Sequence, residues 1–350
     1  MSVRALLAAV AAALLSVACS SGDIADVAGG DVDTEIQYSG ALGQYRGIVY
    51  VPGSVDPKRA VPLLVVLHGA NTTAEQQRAA NLFDPVARRE GFIVMYPDHE
   101  TDSQLGLHPL QAWRFWDPLE MQRGVGDSQA ISELTRQVMD GWNVDRERVY
   151  LAGMSAGGWM TSIMGATYPD IYAAIGVAEG GGYAIGLAGF SQPLGGTLLP
   201  PQVTATLARA AMGANARVVP VINFQGSADT AAPPATGAQL VQQWLMTNNL
   251  VVSGGLSAPF PLAPSETVSY TPGGERHPYA VDIYRDAQGC RVLEQVRIEG
   301  MEHFWPGGSD DPKLKGFTDP LAPNAAEMTW AFLRRFRLSD TAPPCTEAAP

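Results

Sequence analysis

Basic side chains are scarce in this chain: its 350 residues hold 23 Lys and Arg against 35 Asp and Glu, a net charge of -12. Such a surface repels phosphate backbones and anionic headgroups, so nucleic acid and a charged membrane surface are excluded as partners. Histidine is also rare. The five histidines are scattered without the paired spacing of metal ligands, and no glycine-rich phosphate loop is present. A chain that works without metal or cofactor is expected. Internal repeats are missing, and after the N-terminus no apolar run approaches the length of a membrane span. Cysteine is limited to Cys19, Cys290 and Cys345.

At the N-terminus, Arg4 precedes an apolar stretch at residues 5–15, followed by Ser16-Val17-Ala18-Cys19. This reads as a signal peptide over residues 1–19, and the protein is expected to be exported. Two processing routes stay open. Ser16-Val17-Ala18 suits ordinary small-residue cleavage, whereas the approach to Cys19 resembles a bacterial lipobox, with Ser16 where a leucine is usual. Lipidation of Cys19 would make a lipid anchor the sole membrane attachment. It would also leave Cys290 and Cys345 as an even pair for a disulfide in an oxidising compartment. Residues 20–44 are rich in Gly and Asp and read as a flexible leader. Residues 45–338 form the expected single domain, with a Gly-, Pro- and Leu-rich insert around 180–212, and residues 339–350 form a tail. A monomer is expected.

Through the middle of the chain, short apolar runs alternate with helical patterns. Residues 45–51, 62–67, 92–96, 171–177, 218–224 and 292–298 read as strands. Residues 73–89, 127–142, 237–246 and 324–336 read as helices. The run at 62–67 is continuously Leu and Val, as in a strand covered on both faces. This alternation predicts an α/β fold with a mostly parallel sheet and helices on both sides.

The chemistry is concentrated at Gly153-Met154-Ser155-Ala156-Gly157, where an apolar strand meets a helical pattern. In this G-x-S-x-G, a serine on a tight strand-to-helix turn is exposed as a nucleophile. A serine hydroxyl needs a base, and the base needs an orienting acid, each expected after a later strand. The strand at 218–224 empties into Gly226-Ser227-Ala228-Asp229, and the strand at 292–298 into Gly300-Met301-Glu302-His303. Asp229 and His303 are thus the expected acid and base, and the implied architecture is the α/β-hydrolase fold. His68 precedes the serine, and His99, His108 and His277 follow no matching strand. Asp282 and Asp310-Asp311 are the weaker acids by position. For the oxyanion, one N–H is expected from Ala156 and a second from Ala70, in the His68-Gly69-Ala70-Asn71 loop after the second strand.

Together, Leu67-His68-Gly69-Ala70, Tyr96-Pro97, the serine motif continuing into Gly158-Trp159-Met160, Tyr168-Pro169-Asp170, Gly226-Ser227-Ala228-Asp229 and Gly300-Met301-Glu302-His303-Phe304-Trp305-Pro306 resemble the esterase family of poly(3-hydroxybutyrate) depolymerases. That family is close to feruloyl and acetylxylan esterases. The resemblance spans residues 45–336 and implies an extracellular carboxylic-ester hydrolase that uses Ser155, Asp229 and His303. Its substrate would be a small-molecule or polymeric ester: a hydroxyalkanoate polyester or oligomer, or a feruloyl or acetyl ester of plant polysaccharide. The chain departs from the family at two places. Members often carry cysteines at the positions of Ala70 and of the Ala112-Trp113 region, and no second domain for insoluble polymer is recognisable. Aromatic residues crowd the motifs, and Trp116, Trp159 and Trp305 are the candidate substrate contacts; packing is the competing role for each. A serine peptidase on the same fold and a surface binding protein with a decayed hydrolase fold are the alternatives.

Overall fold

A computed structural model describes residues 30–99, 109–184, 199–286 and 288–340. In chain order the elements are β1 (Val32–Gly40), β2 (Gly43–Val51), β3 (Val61–Leu67), α1 (Ala74–Asn81), α2 (Phe83–Glu90), β4 (Ile93–His99), α3 (Gly126–Gly141), β5 (Val144–Met154), α4 (Ala156–Thr167), β6 (Ala174–Ala178), α5 (Pro201–Met212), β7 (Val221–Gly226), α6 (Pro234–Ser253), β8 (Glu266–Tyr270), β9 (Tyr279–Arg285), β10 (Arg291–Ile298), the short β11 (Trp305–Pro306) and β12 (Thr318–Asp319), and α7 (Ala325–Leu333).

Ten strands form one sheet in the order β1-β2-β4-β3-β5-β6-β7-β10-β9-β8. The central block from β4 to β10 is parallel, and antiparallel strands extend it at both edges. Its apolar runs make sense in that setting. Alternate side chains of a strand point to opposite faces. Leu63, Val65 and Leu67 of β3 accordingly join a core with Ile131, Leu134, Ile163 and Trp244 from α3, α4 and α6. Leu64 and Val66 join a second core with Phe83, Val86, Trp330 and Leu333 from α2 and α7. A mainly parallel sheet covered on both faces is therefore the architecture, in agreement with the sequence reading.

Four segments differ from that reading. Residues 32–40, assigned to the leader, form β1, which pairs along its whole length with β2. As an edge strand it exposes alternate residues, so its polar composition disguises it. The expected helix over 73–89 is two helices, because Leu82 at φ 62° ends α1 and opens α2. Residues 201–212 of the Gly-, Pro- and Leu-rich insert, to which the sequence reading assigns no helix, form α5, with Pro201 in its first turn, where a missing N–H costs nothing. The antiparallel β8 and β9 complete the sheet's far edge. Residues 1–29, including Cys19, and residues 341–350, including Cys345, lie outside the described residues. Among the described residues no helix is long and apolar enough to cross a membrane.

Candidate active site

Parallel strands bring their C-terminal ends to one edge of the sheet, and the loops after β5, β7 and β10 meet there. Ser155 sits between β5 and α4 at φ 53° and ψ -120°, a left-handed turn that a β-carbon makes costly. The flanking glycines permit it. A β-carbon at Gly153 would stand 2.4 Å from the Gly157 carbonyl oxygen, and one at Gly157 would stand 2.4 Å from that of Leu67. The Ser155 N–H donates to Ala178 O at 3.0 Å, which pins the turn to the end of β6.

The acid and histidine loops are fastened to each other. Ala228 N–H donates to Met301 O at 3.0 Å, and Gly300 N–H donates to Ser227 Oγ at 2.9 Å. Asp229 and His303, 74 residues apart, meet as a result, with His303 Nδ1 2.7 Å from Asp229 Oδ2. The other carboxylate oxygen accepts N–H groups from Ala231 at 2.8 Å and Ala232 at 2.7 Å. A carboxylate only accepts, so Nδ1 carries the proton. Nε2, 2.8 Å from Ser155 Oγ, then accepts from the serine hydroxyl. Burial pushes the Asp229 carboxyl up, but hydrogen bonds from His303 and Glu179 outweigh it and hold the group below the usual carboxylate range.

Both expected oxyanion donors line a cavity of about 510 Å³ beside the serine. Ala156 opens α4, where the first N–H groups have no helical acceptor. Ala70 lies in the loop after β3, and its neighbour Asn71 is already committed, donating to Leu110 O at 2.7 Å. Trp113 Nε1–H donates to His68 O at 3.1 Å. That bond joins the loop after β3 to the segment around Trp113.

The other histidines and acids have separate work. His68 is buried, with Nδ1 2.8 Å from Gly69 O and Nε2 3.3 Å from Asp98. His99 packs edge-on against Trp113, His277 lies between Glu299 O and Asp319, and His108 is outside the described residues. Asp282 is held by Arg297 and Thr267, and Asp311 caps a turn at Lys313.

Of the three tryptophans expected to touch substrate, Trp159 lines the cavity, stacked on Phe115 at 4.9 Å. Trp305 does not. It is 1 % exposed and packs edge-on against Phe83 inside the second core, because β11 turns its side chain inward. Half-buried Trp116 packs against Phe115 and is not among the lining residues. Phe115, Met154, Phe317, Gln77 and Thr72 complete the wall instead. Cys290 is disulfide-bonded; its expected partner, Cys345, is outside the described residues.

Sequence reasoning missed Glu179, which follows β6 and is fully buried. The available signal was positional: like Asp229, it is a lone acid at the C-terminal end of a buried strand. Glu179, Asp229 and His303 offer oxygen and nitrogen atoms within 4.8 Å of one another, the set a metal ion would need. His303 and Asp229 are hydrogen-bonded to each other, and the Glu179 oxygens accept from Gly226 N–H and Gln225 Nε2–H.

A serine, a histidine and an aspartate in one hydrogen-bonded line, on the loops of a mainly parallel sheet covered by helices on both faces, define the class as the α/β-hydrolase fold. The chain belongs to the Esterase PHB depolymerase family, whose model matches residues 46–258. It is 28 % identical to poly(3-hydroxyalkanoate) depolymerase C of Paucimonas lemoignei over 268 residues, 75 % of this chain and 59 % of that protein. It is 31 % identical to an acetylxylan esterase of Coprinopsis cinerea over 216 residues, 58 % of this chain and 54 % of the relative. To a feruloyl esterase B of Neurospora crassa it is 34 % identical over 130 residues, 37 % of this chain and 41 % of the relative. The chain thus spans about half the length of these curated relatives. Among solved structures, the acetyl xylan esterase from Aspergillus awamori superposes with a TM-score of 0.60 at 20 % identity, over 81 % of this chain and 97 % of the other.

Proposed function

We propose that this chain is an exported serine esterase that hydrolyses carboxylic esters through an acyl-enzyme on Ser155. The hydrogen-bonded line from Ser155 through His303 to Asp229, with Ser155 and His303 in the wall of the cavity, carries the reading. As Ser155 Oγ attacks the ester carbonyl, His303 Nε2 takes the hydroxyl proton and Asp229 stabilises the imidazolium. The N–H groups of Ala70 and Ala156 receive the oxyanion. Collapse breaks the bond to the alcohol, which leaves with the proton from His303. Water, deprotonated by the same nitrogen, then attacks the acyl-enzyme, releasing the acid and restoring Ser155.

The substrate proposed is a modest-sized ester, a hydroxyalkanoate oligomer or a feruloyl or acetyl ester. A cavity of about 510 Å³ whose wall includes the aromatic Phe115, Trp159 and Phe317 and the polar Thr72 and Gln77 suits an apolar acyl group with one or two polar substituents. Hydrolysis of p-nitrophenyl butyrate is expected from the purified protein and lost in Ser155→Ala; an undiminished rate in that variant overturns the reading. A panel of hydroxybutyrate oligomer, feruloyl and acetyl-sugar esters, ranked by kcat/KM, assigns the acyl group, and faster cleavage of peptide amides would favour a peptidase. Export rests on residues 1–19, with anchoring through Cys19. Incorporation of labelled palmitate that disappears in Cys19→Ala tests the anchor.

A further inference from the structure

Glu179 is a carboxyl group with no assigned role, just after β6 and 0 % exposed. Its backbone takes φ 46°, a conformation uncommon for a residue with a β-carbon. It is held there from two directions: its N–H donates to Phe224 O at 3.0 Å on β7, and the preceding carbonyl, that of Ala178, receives the N–H of Ser155 at 3.0 Å. The side chain therefore points into the space between the nucleophile's turn and the acid loop. One oxygen accepts Gly226 N–H at 2.8 Å and the other accepts Gln225 Nε2–H at 2.9 Å. One of its carboxyl oxygens also lies within 4.8 Å of a carboxylate oxygen of Asp229 and of a ring nitrogen of His303.

We propose that Glu179 is a positioning residue whose carboxyl group donates a hydrogen bond to Asp229, extending the line Ser155–His303–Asp229 by a fourth side chain. The proposal rests on that line being catalytic. Two carboxyl groups so close, both taken out of water, cannot both be ionised. The one beside the imidazole keeps its charge, because His303 donates to it. The proton therefore resides on Glu179. Consistently, burial first, and then the hydrogen bond and charge of Asp229, push the Glu179 carboxyl well above the usual range, opposed by the bond from Gly226. Asp229 and His303 are the ionisable groups that face it. As a neutral donor, Glu179 would fix the carboxylate of Asp229 in the plane of the imidazole and add no second charge that would over-stabilise imidazolium.

Glu179→Gln mimics the protonated acid. Its amide can donate to Asp229 and its carbonyl can accept from Gly226, while Gln225 keeps the carbonyls of Gly226 and Ala232 as acceptors at 3.3 and 2.9 Å. Glu179→Ala removes the donor. In Glu179→Ala, kcat on p-nitrophenyl butyrate is expected to fall about 10- to 100-fold with KM little changed, the scale seen when a group behind a functional ligand is removed. Glu179→Gln should recover most of that loss and leave the acidic limb of the kcat/KM profile in place. In infrared difference spectra, a protonated-carboxyl carbonyl band present in the wild type should vanish in Glu179→Gln, a readout that needs no turnover. Wild-type kcat in Glu179→Ala overturns the proposal. So does a downward move of the acidic limb by about one pH unit in Glu179→Gln, which would mean that a charge had been removed beside His303. A wild type that neither hydrolyses ester nor labels at Ser155 with a fluorophosphonate overturns the hydrolase reading itself, before the variants are compared.

Discussion

Two pairs of buried acids can be compared among the described residues, one in reach of a base and the other not. At the active-site edge, Glu179 stands behind Asp229, and Asp229 receives His303. At the start of α3, Glu120 stands beside Asp127, whose oxygens accept Tyr45 O–H at 2.7 Å and Arg114 N–H at 2.8 Å. Burial, reinforced by the charge of Asp127, pushes the Glu120 carboxyl up to about 8. In both places a low-dielectric pocket forces one carboxyl to hold a proton beside an ionised neighbour. At the first, an imidazole and a serine continue the hydrogen-bonded line, and the proposed catalysis would pass a proton along it. At the second, a phenol and a backbone amide hold the charge still, so its consequence is confined to stability. Shifted acids alone thus do not mark a site; the transferable proton next to them does.

The sharpest way to break this contrast is Asp229→Asn. The amide keeps its carbonyl for the N–H groups of Ala231 and Ala232 but presents NH₂ to His303 Nδ1, so the imidazole takes the wrong tautomer. A loss of about 10⁴ in kcat is expected, on the scale of the same change in other triads, with the melting temperature little altered; steady-state assays alongside calorimetry check it. At the second pair the reverse split is expected. Tyr45→Phe leaves the buried Asp127 carboxylate one donor short and should cost about 1–3 kcal/mol in urea unfolding, with kcat unchanged.

The second pair also predicts a pH dependence. Between the ordinary 4.5 and about 8, the folded protein keeps a proton on Glu120 that the unfolded chain has released. Its contribution is fully present below pH 4.5 and is lost as pH rises through that window, at up to about 1.4 kcal/mol per pH unit for one proton. Glu120→Gln should flatten the stability profile there without moving the acidic limb of activity. A smaller effect is expected at the exposed bidentate pair of Arg89 with Glu327, 2.8 and 2.6 Å apart. Arg89→Ala should change unfolding free energy by less than about 1 kcal/mol and weaken further in salt.

Much of the fold could be read before any coordinates. The continuous apolar runs at β3, β5, β7 and β10 are local features, and so are the loops that follow them, which is why Ser155, Asp229 and His303 stood out singly. Elements whose pattern depends on a neighbour were harder. The polar alternation of β1 becomes a strand only against β2. The break at Leu82 requires a left-handed residue in a stretch with good helical pattern. Trp305 lies two residues after His303 and Trp159 four after Ser155, yet the nearer one fills a core and the other walls the cavity.

By itself, the sequence determined the strand-to-helix turn at Ser155, through two glycines that no other residue could replace, and the order of acid and base along the chain. Those are properties of adjacent residues, dictated by backbone sterics and side-chain chemistry. Only the tertiary structure decided that Asp229 and His303 meet within 2.7 Å, that Phe317 reaches the cavity, and that Glu179 lies behind the acid. Such contacts join segments tens to more than a hundred residues apart, and they exist only once the parallel strands bring their ends to one edge.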